Sequence, residues 1–135
     1  MVNPKLRKTI GDQGEAWIAD YLTNAGYSII HRNWYSRWGE IDLIAVQGQQ
    51  LIFIEVKTRQ KYGLDGAGVL AVDRSKQRKM IMTAQAFLGT YPQWSEFGCR
   101  FDVALVKYQT NSTEGESTFS LNCYIQGAFD LTVSE

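Results

Sequence analysis

Apolar residues alternate with polar ones in some stretches of this chain and recur at helical spacing in others. Ile18, Ala19 and Leu22 stand three, four and seven positions after Glu15. That is the stripe of an amphipathic helix, running roughly from Asp12 to Asn24 and closed by Gly26. A strand follows from Tyr27 to Asn33, then a turn from Trp34 to Gly39. Glu40–Gln47 and Leu51–Thr58 are β-branched, apolar runs and read as the two strands of a hairpin. Residues Gln60 to Val72 include Gly63, Gly66 and Gly68 and predict a mobile loop. Asp73 is a good N-cap for a second helix to Leu88, with Met80, Ile81, Ala84 and Leu88 on its apolar face. Cys99–Tyr108 is a strong strand, Asn111–Ser117 a polar turn, and Phe119–Ile125 a last strand at a sheet edge. The order helix, strands, helix, strands predicts a single α/β domain over residues 1–135, a mixed β-sheet flanked by helices. One right-handed crossover joins the hairpin to the Cys99–Tyr108 strand.

Charges interrupt the hairpin. Asp42, Glu55 and Lys57 lie inside apolar runs, where an unpaired buried charge is very costly. With Gly48-Gln49 as a two-residue type II′ loop, Gln47 pairs with Gln50. Asp42 then falls opposite Glu55, and Glu40 opposite Lys57, with Cβ atoms about 4.5–5.5 Å apart. Two carboxylates that close repel unless a cation sits between them, and hard divalent ions such as Mg²⁺ take oxygen ligands. Lys57, diagonal to Asp42, is placed to position a water or to stabilise charge on a phosphate. If Gln49-Gln50 forms the tip instead, the pairing shifts. A simpler reading makes these four residues a solvated, ion-paired face, but that face also carries Ile44, Val46 and Phe53. Glu15 is a third acid in an unexpected place, on the apolar stripe of its helix. Either the helix dipole favours it there or it points into the same site.

Gly-Asp-Gln-Gly-Glu15 before a helix, Gly39-Glu-Ile-Asp42-Leu-Ile-Ala, and Phe53-Ile-Glu55-Val-Lys57-Thr-Arg together resemble the PD-(D/E)xK nuclease superfamily, whose domains are restriction-endonuclease-like. Within it the chain is most similar to the YraN-like family of uncharacterised bacterial proteins, itself similar to archaeal Holliday-junction resolvases. The resemblance extends to Arg100-Phe101-Asp102-Val103 and Gly127-Ala128-Phe129-Asp130-Leu131. Ile41 stands where the superfamily's motif has proline. The resemblance implies that Asp42 and Glu55 bind Mg²⁺ or Mn²⁺, that Lys57 is the catalytic lysine, and that Glu15 is an auxiliary acid. The implied activity is hydrolysis of DNA phosphodiester bonds, in branched or structured DNA if the likeness to resolvases holds. A homodimer is then expected, because cutting two strands needs two sites.

Composition changes this picture little. With 135 residues, 44% apolar and 21% charged, the chain is long enough for one domain with a real core. It has no apolar run long enough to span a membrane and no signal-peptide core, so a cytoplasmic location is expected. Cys99 and Cys123 form neither a disulfide framework nor a zinc pattern. Net charge is zero, yet residues 1–80 hold 12 Lys/Arg against 8 Asp/Glu, and residues 81–135 hold 2 against 6. Lys5, Arg7 and Lys8, then Arg74, Lys76, Arg78 and Lys79, are candidate phosphate contacts, as are Arg37 and Arg59. Each cluster is equally readable as solvated charge. Gln77 is a candidate for a polar residue lent to the site by the second helix. Trp34 and Trp38 offer stacking platforms or packing. His31 is the sole histidine, and Asp102 is expected to pair with Arg100. A non-catalytic nucleic-acid-binding or adaptor protein on the same fold is the alternative to a nuclease. A hydrolase of small phosphate compounds would want a glycine-rich phosphate loop, which is absent.

Overall fold

The computed structural model describes residues 4–62, 72–110 and 115–129, apart from the side chains of residues 4, 6 and 7. Helix α1 (Pro4–Asn24) leads into strands β1 (Ser28–Ser36), β2 (Gly39–Gln47) and β3 (Gln50–Arg59). Helix α2 (Arg74–Thr90) and a short 3₁₀ turn follow, then β4 (Gly98–Thr110) and β5 (Ser117–Phe129). The five strands make one sheet in the order β1-β2-β3-β4-β5. Only β3 and β4 run parallel, and the chain crosses between them through α2. The result is an α/β sandwich with a mixed sheet in the middle, consistent with a restriction-endonuclease-like fold. Among the described residues no helix is long and apolar enough to cross a membrane.

Strand alternation sends side chains to opposite faces, and each face finds a helix. On one side Ile18, Ala19 and Leu22 of α1 cover Leu43, Ala45, Ile52, Ile54, Ala104 and Val106. On the other, Met80, Ala84 and Phe87 of α2 cover Ile44, Leu51, Phe53, Phe101 and Leu105. Phe53 and Phe101 stack at 5.3 Å between ring centres, with Phe87 edge-on to Phe53.

The structure adjusts several boundaries. Helix α1 starts two turns before Asp12, because its buried face continues back through Gly14 to Ile10. The basic cluster Lys5, Arg7, Lys8 is therefore helical, not a tail. The expected turn over Trp34–Gly39 shrinks to Arg37-Trp38, with β1 running on to Ser36 to form a hairpin with β2. Asp73 caps α2 as expected, its side chain accepting from the Lys76 N–H at 2.8 Å. The glycine loop at residues 63–71, the turn at 111–114, and Asp130-Leu131 lie outside the described residues.

The β2–β3 register runs from Gln47↔Gln50 to Leu43↔Ile54, as the Gly48-Gln49 loop requires. Gly48 takes φ +57 and Gln49 stays out of positive φ, which fits a type II′ turn. The ladder stops there. Ile41 and Ile44 belong to the α2-side core while Leu43 and Ala45 belong to the α1 side, so strict alternation fails between positions 41 and 44. Glu40 consequently does not oppose Lys57. It pairs with Tyr35 of β1 instead.

Candidate active site

The sheet's irregular point holds the acids. Past Leu43, β2 no longer pairs with β3. The Asp42 carboxylate reaches across instead, accepting a 2.8 Å hydrogen bond from the Val56 N–H. Asp42 and Glu55 are both buried. Burial first, and the Glu55 charge second, push the Asp42 carboxyl up to about 9 against the lowering effect of that hydrogen bond. Glu55 alternates with Val56, which packs on the α1 side, and so faces α2 together with Lys57. Its Oε2 lies 3.3 Å from the Lys76 ammonium, while Oε1 is buried with no hydrogen-bond partner.

Glu15 approaches from the other helix. A Cβ at Gly14 would overlap the Thr58 side chain, so only glycine lets α1 come this close to the end of β3. The next residue is then carried toward the Asp42 carboxyl, close enough for the two acids to influence each other. Glu15 Oε1 accepts from Asn33 Nδ2 at 2.9 Å. Burial raises the Glu15 pKa most; the Asn33 bond opposes this and the Glu40 charge adds to it. Asn33 is the only described non-glycine residue with positive φ (+50), and its β1 neighbours Arg32 and Trp34 pair with Leu43 and Ile41, on either side of Asp42. A strained backbone here presents the amide to the acid. Sequence reading passed Asn33 over; its one signal was a residue type that tolerates left-handed φ inside a strand.

Two clefts flank Glu15. One of about 400 Å³ is lined by Lys8, Gly11, Glu15, Val56, Thr58, Arg59 and Tyr108. The other, about 270 Å³, is lined by Lys8, Asp12, Glu15, Arg32, Asn33, Tyr35 and Glu40. Tyr35 is exposed, and the neighbouring Glu40 holds its phenol above the usual range.

The structure thus brings Glu55 and Glu15 within electrostatic reach of Asp42, with Lys57 two positions after Glu55 on the same strand. Among the other candidates, Lys8 and Arg59 border the clefts, although Lys8 also meets Asp12 at 3.4 Å. Lys76, 44% exposed, has its ammonium 3.3 Å from Glu55 Oε2. Gln77 turns its Nε2 to the Val72 carbonyl at 3.0 Å, closing the start of α2. Arg37 lies over the Trp38 ring at 4.3 Å in the β1–β2 turn. Lys5 and Lys79 are exposed on their helices; the Arg7 side chain is outside the described set. Trp34 and His31 both pack against Phe87, at 5.3 Å each, which assigns them to the core.

Among the described residues no group of three or more His, Cys, Asp or Glu side chains is arranged to hold a metal ion. Asp42 and Glu55 nonetheless suit a hard cation: two buried carboxyl groups, one carrying an orphaned oxygen and the other raised in pKa by burial first and by its neighbour's charge second. Few protein ligands plus waters is how Mg²⁺ is commonly held.

A family model described as "Uncharacterised protein family UPF0102" matches residues 14–106. A UPF0102 protein of Synechococcus sp. (strain JA-3-3Ab) is 48% identical over 92% of this chain and 93% of its own length. One from Thermosynechococcus vestitus is 46% identical over 90% and 94%. One from Pseudomonas syringae pv. tomato is 37% identical over 96% and 99%. The chain belongs to the UPF0102, or YraN-like, family.

Proposed function

We propose that this UPF0102 protein is a metal-dependent endonuclease that hydrolyses DNA phosphodiester bonds, built on the PD-(D/E)xK plan and related to the resolvases within it. The observation that carries the reading is Glu55 Oε1, a buried carboxylate oxygen without a partner, beside an Asp42 that burial and Glu55 keep protonated. Uncompensated groups of this kind are expensive and cluster at functional sites. Asp42 and Glu55 would hold Mg²⁺ or Mn²⁺. Such a cation supplies Lewis acidity at a phosphoryl oxygen and makes water a better acid.

This chain's own residues do the rest. Lys57, two residues after Glu55 on β3, would offset negative charge growing on a phosphate. Glu15, half-buried and raised in pKa, exchanges a proton with water or a leaving oxygen. Asn33 holds Glu15 in that position. Lys8, Arg32 and Arg59, bordering the two clefts, bind neighbouring phosphates. A branched or structured DNA substrate and a homodimer follow from the likeness to resolvases. Zero net charge favours the second reading, a DNA-binding adaptor that retains the fold without turnover.

The test is cleavage of labelled duplex, single-stranded, flap and four-way-junction DNA with Mg²⁺, Mn²⁺ or EDTA. Lys57→Ala and Glu55→Ala prepared in parallel are the controls. Metal-dependent cutting that both variants lose by about 100-fold or more is expected. No cutting, or cutting that persists in the variants, moves the protein to the adaptor reading.

A further inference from the structure

Lys76 reaches a proposed cation ligand from α2. It stands in the first turn of that helix, beyond its Asp73 cap. Its ammonium lies 3.3 Å from Glu55 Oε2, and the two side chains are unequally exposed, 44% for Lys76 and 8% for Glu55. The carboxylate is fixed and enclosed; the ammonium hangs on a long stem that reaches solvent. The contact is incomplete, because it satisfies one Glu55 oxygen and leaves Oε1 with none. A point charge on one oxygen is a poor match for a buried carboxylate, whereas a divalent ion coordinates it at close range.

We propose that Lys76 is a tethered placeholder: its ammonium occupies Glu55 while the cation site is empty and is displaced when a divalent cation binds. The inference rests on the cation-binding reading of Asp42 and Glu55. It follows from charge at short range. A divalent ion cannot share Glu55 with an ammonium at 3.3 Å without strong repulsion in a partly desolvated site. Of the two positive groups the lysine is the one free to leave. Its departure exposes a cation at the mouth of the site, on the helix that begins beside it. The enclosed Glu55 therefore has a counter-ion before a metal arrives, and the protein's affinity for metal is set partly by competition from its own side chain.

Competition predicts a tighter site when the competitor is removed, the reverse of what losing an orienting partner would do. Mn²⁺ titration calorimetry on the full chain, at fixed pH and ionic strength, reads this without any nuclease assay. Lys76→Gln should bind Mn²⁺ about fivefold more tightly than wild type, the size expected for loss of a partly exposed ion pair. Lys76→Arg, which keeps the charge, should not tighten. An unchanged or weaker affinity in Lys76→Gln would overturn the placeholder and make Lys76 a residue that orients Glu55. If wild type shows no Mn²⁺ binding that Asp42→Asn removes, the cation site itself falls, and this inference with it. Normal wild-type binding beside an unaltered Lys76→Gln sinks the inference alone.

Discussion

Asp42 is an acid whose fold works against its charge. Its pKa rises from an ordinary 3.8 to about 9 because it is buried beside Glu55. The folded protein therefore holds that proton more tightly than the unfolded chain does. The linked stability is complete below about pH 4 and is lost as pH climbs toward 9. Asp42→Asn removes the titration while keeping the shape. Urea unfolding from pH 5 to pH 8.5 should show wild type losing stability across the range and the variant losing much less. Some slope should remain, since Glu15 is shifted in the same direction. At pH 8, Mn²⁺ should stabilise wild type, by about 2.7 kcal/mol at a concentration 100 times the dissociation constant, and leave Asp42→Asn unmoved. Equal pH slopes in the two proteins would mean that Asp42 ionises freely and that its environment has been misjudged. The same contrast explains why the buried acids were readable from sequence. Charges in β-branched runs are rare, so Asp42, Glu55 and Lys57 stood out. Asn33 did not, because an asparagine at a strand end carries no such anomaly, and Lys76 was legible only as a basic helix residue, not as the partner of Glu55.

At the scale of elements, the precision of the site depends on how closely α1 approaches β3, and two glycines of that helix separate approach from propensity. Gly11 has nothing within 4 Å of where a Cβ would be; Gly14 has the Thr58 side chain in that space. Glycine to alanine inside a helix gains about 1 kcal/mol from backbone entropy. Overpacking costs about 1–3 kcal/mol. Gly11→Ala should therefore stabilise the protein by up to about 1 kcal/mol. Gly14→Ala should instead fail to stabilise it, with a net cost of about 0–2 kcal/mol, and lower any turnover further by moving Glu15. Thermal unfolding of both variants checks this; stabilisation by Gly14→Ala would show that α1 does not pack tightly on β3. Gly14 also explains why α1 was read two turns short. Ile10, Gly14 and Ile18 share one buried face, but a glycine within an apolar stripe hides its periodicity. The β2–β3 hairpin was legible down to its register because a single glycine in the loop decides it. Its last step was not, since alternation breaks at Ile41–Leu43 where Asn33 takes positive φ and Asp42 turns to Val56. That break depends on three elements meeting, and no local pattern announces it.

Across the whole molecule, two buried acids on neighbouring strands, facing opposite sides of the sheet, are treated in opposite ways. Asp102 pairs with Ile54 across β3 and β4, one position before Glu55. It is fully buried, yet four donors meet its oxygens. Arg100 Nε and the Gly127 N–H bind Oδ1 at 3.0 and 2.9 Å, and Arg100 Nη2 and the Tyr124 hydroxyl bind Oδ2 at 3.0 and 2.6 Å. Tyr27 takes a further bond from Arg100 at 3.2 Å. This cluster ties β5 and the start of β1 to the centre of the sheet, and every charge in it has a partner. Glu55 has one exposed lysine and an orphaned oxygen. Saturation marks a group that holds the fold together; deficiency marks one kept ready for something the chain does not supply. The two should respond oppositely to the same chemical change. Asp102→Asn strands Arg100 and should cost about 3 kcal/mol or more, while the folded protein keeps wild-type Mn²⁺ affinity. Glu55→Gln removes a buried charge that is only partly compensated and should leave stability within about 1 kcal/mol of wild type or above it, while abolishing Mn²⁺ binding. Denaturant unfolding and calorimetry on both variants decide the matter. If Glu55→Gln were the more destabilising, the acid would belong to the framework, and the cation site would have to be sought elsewhere.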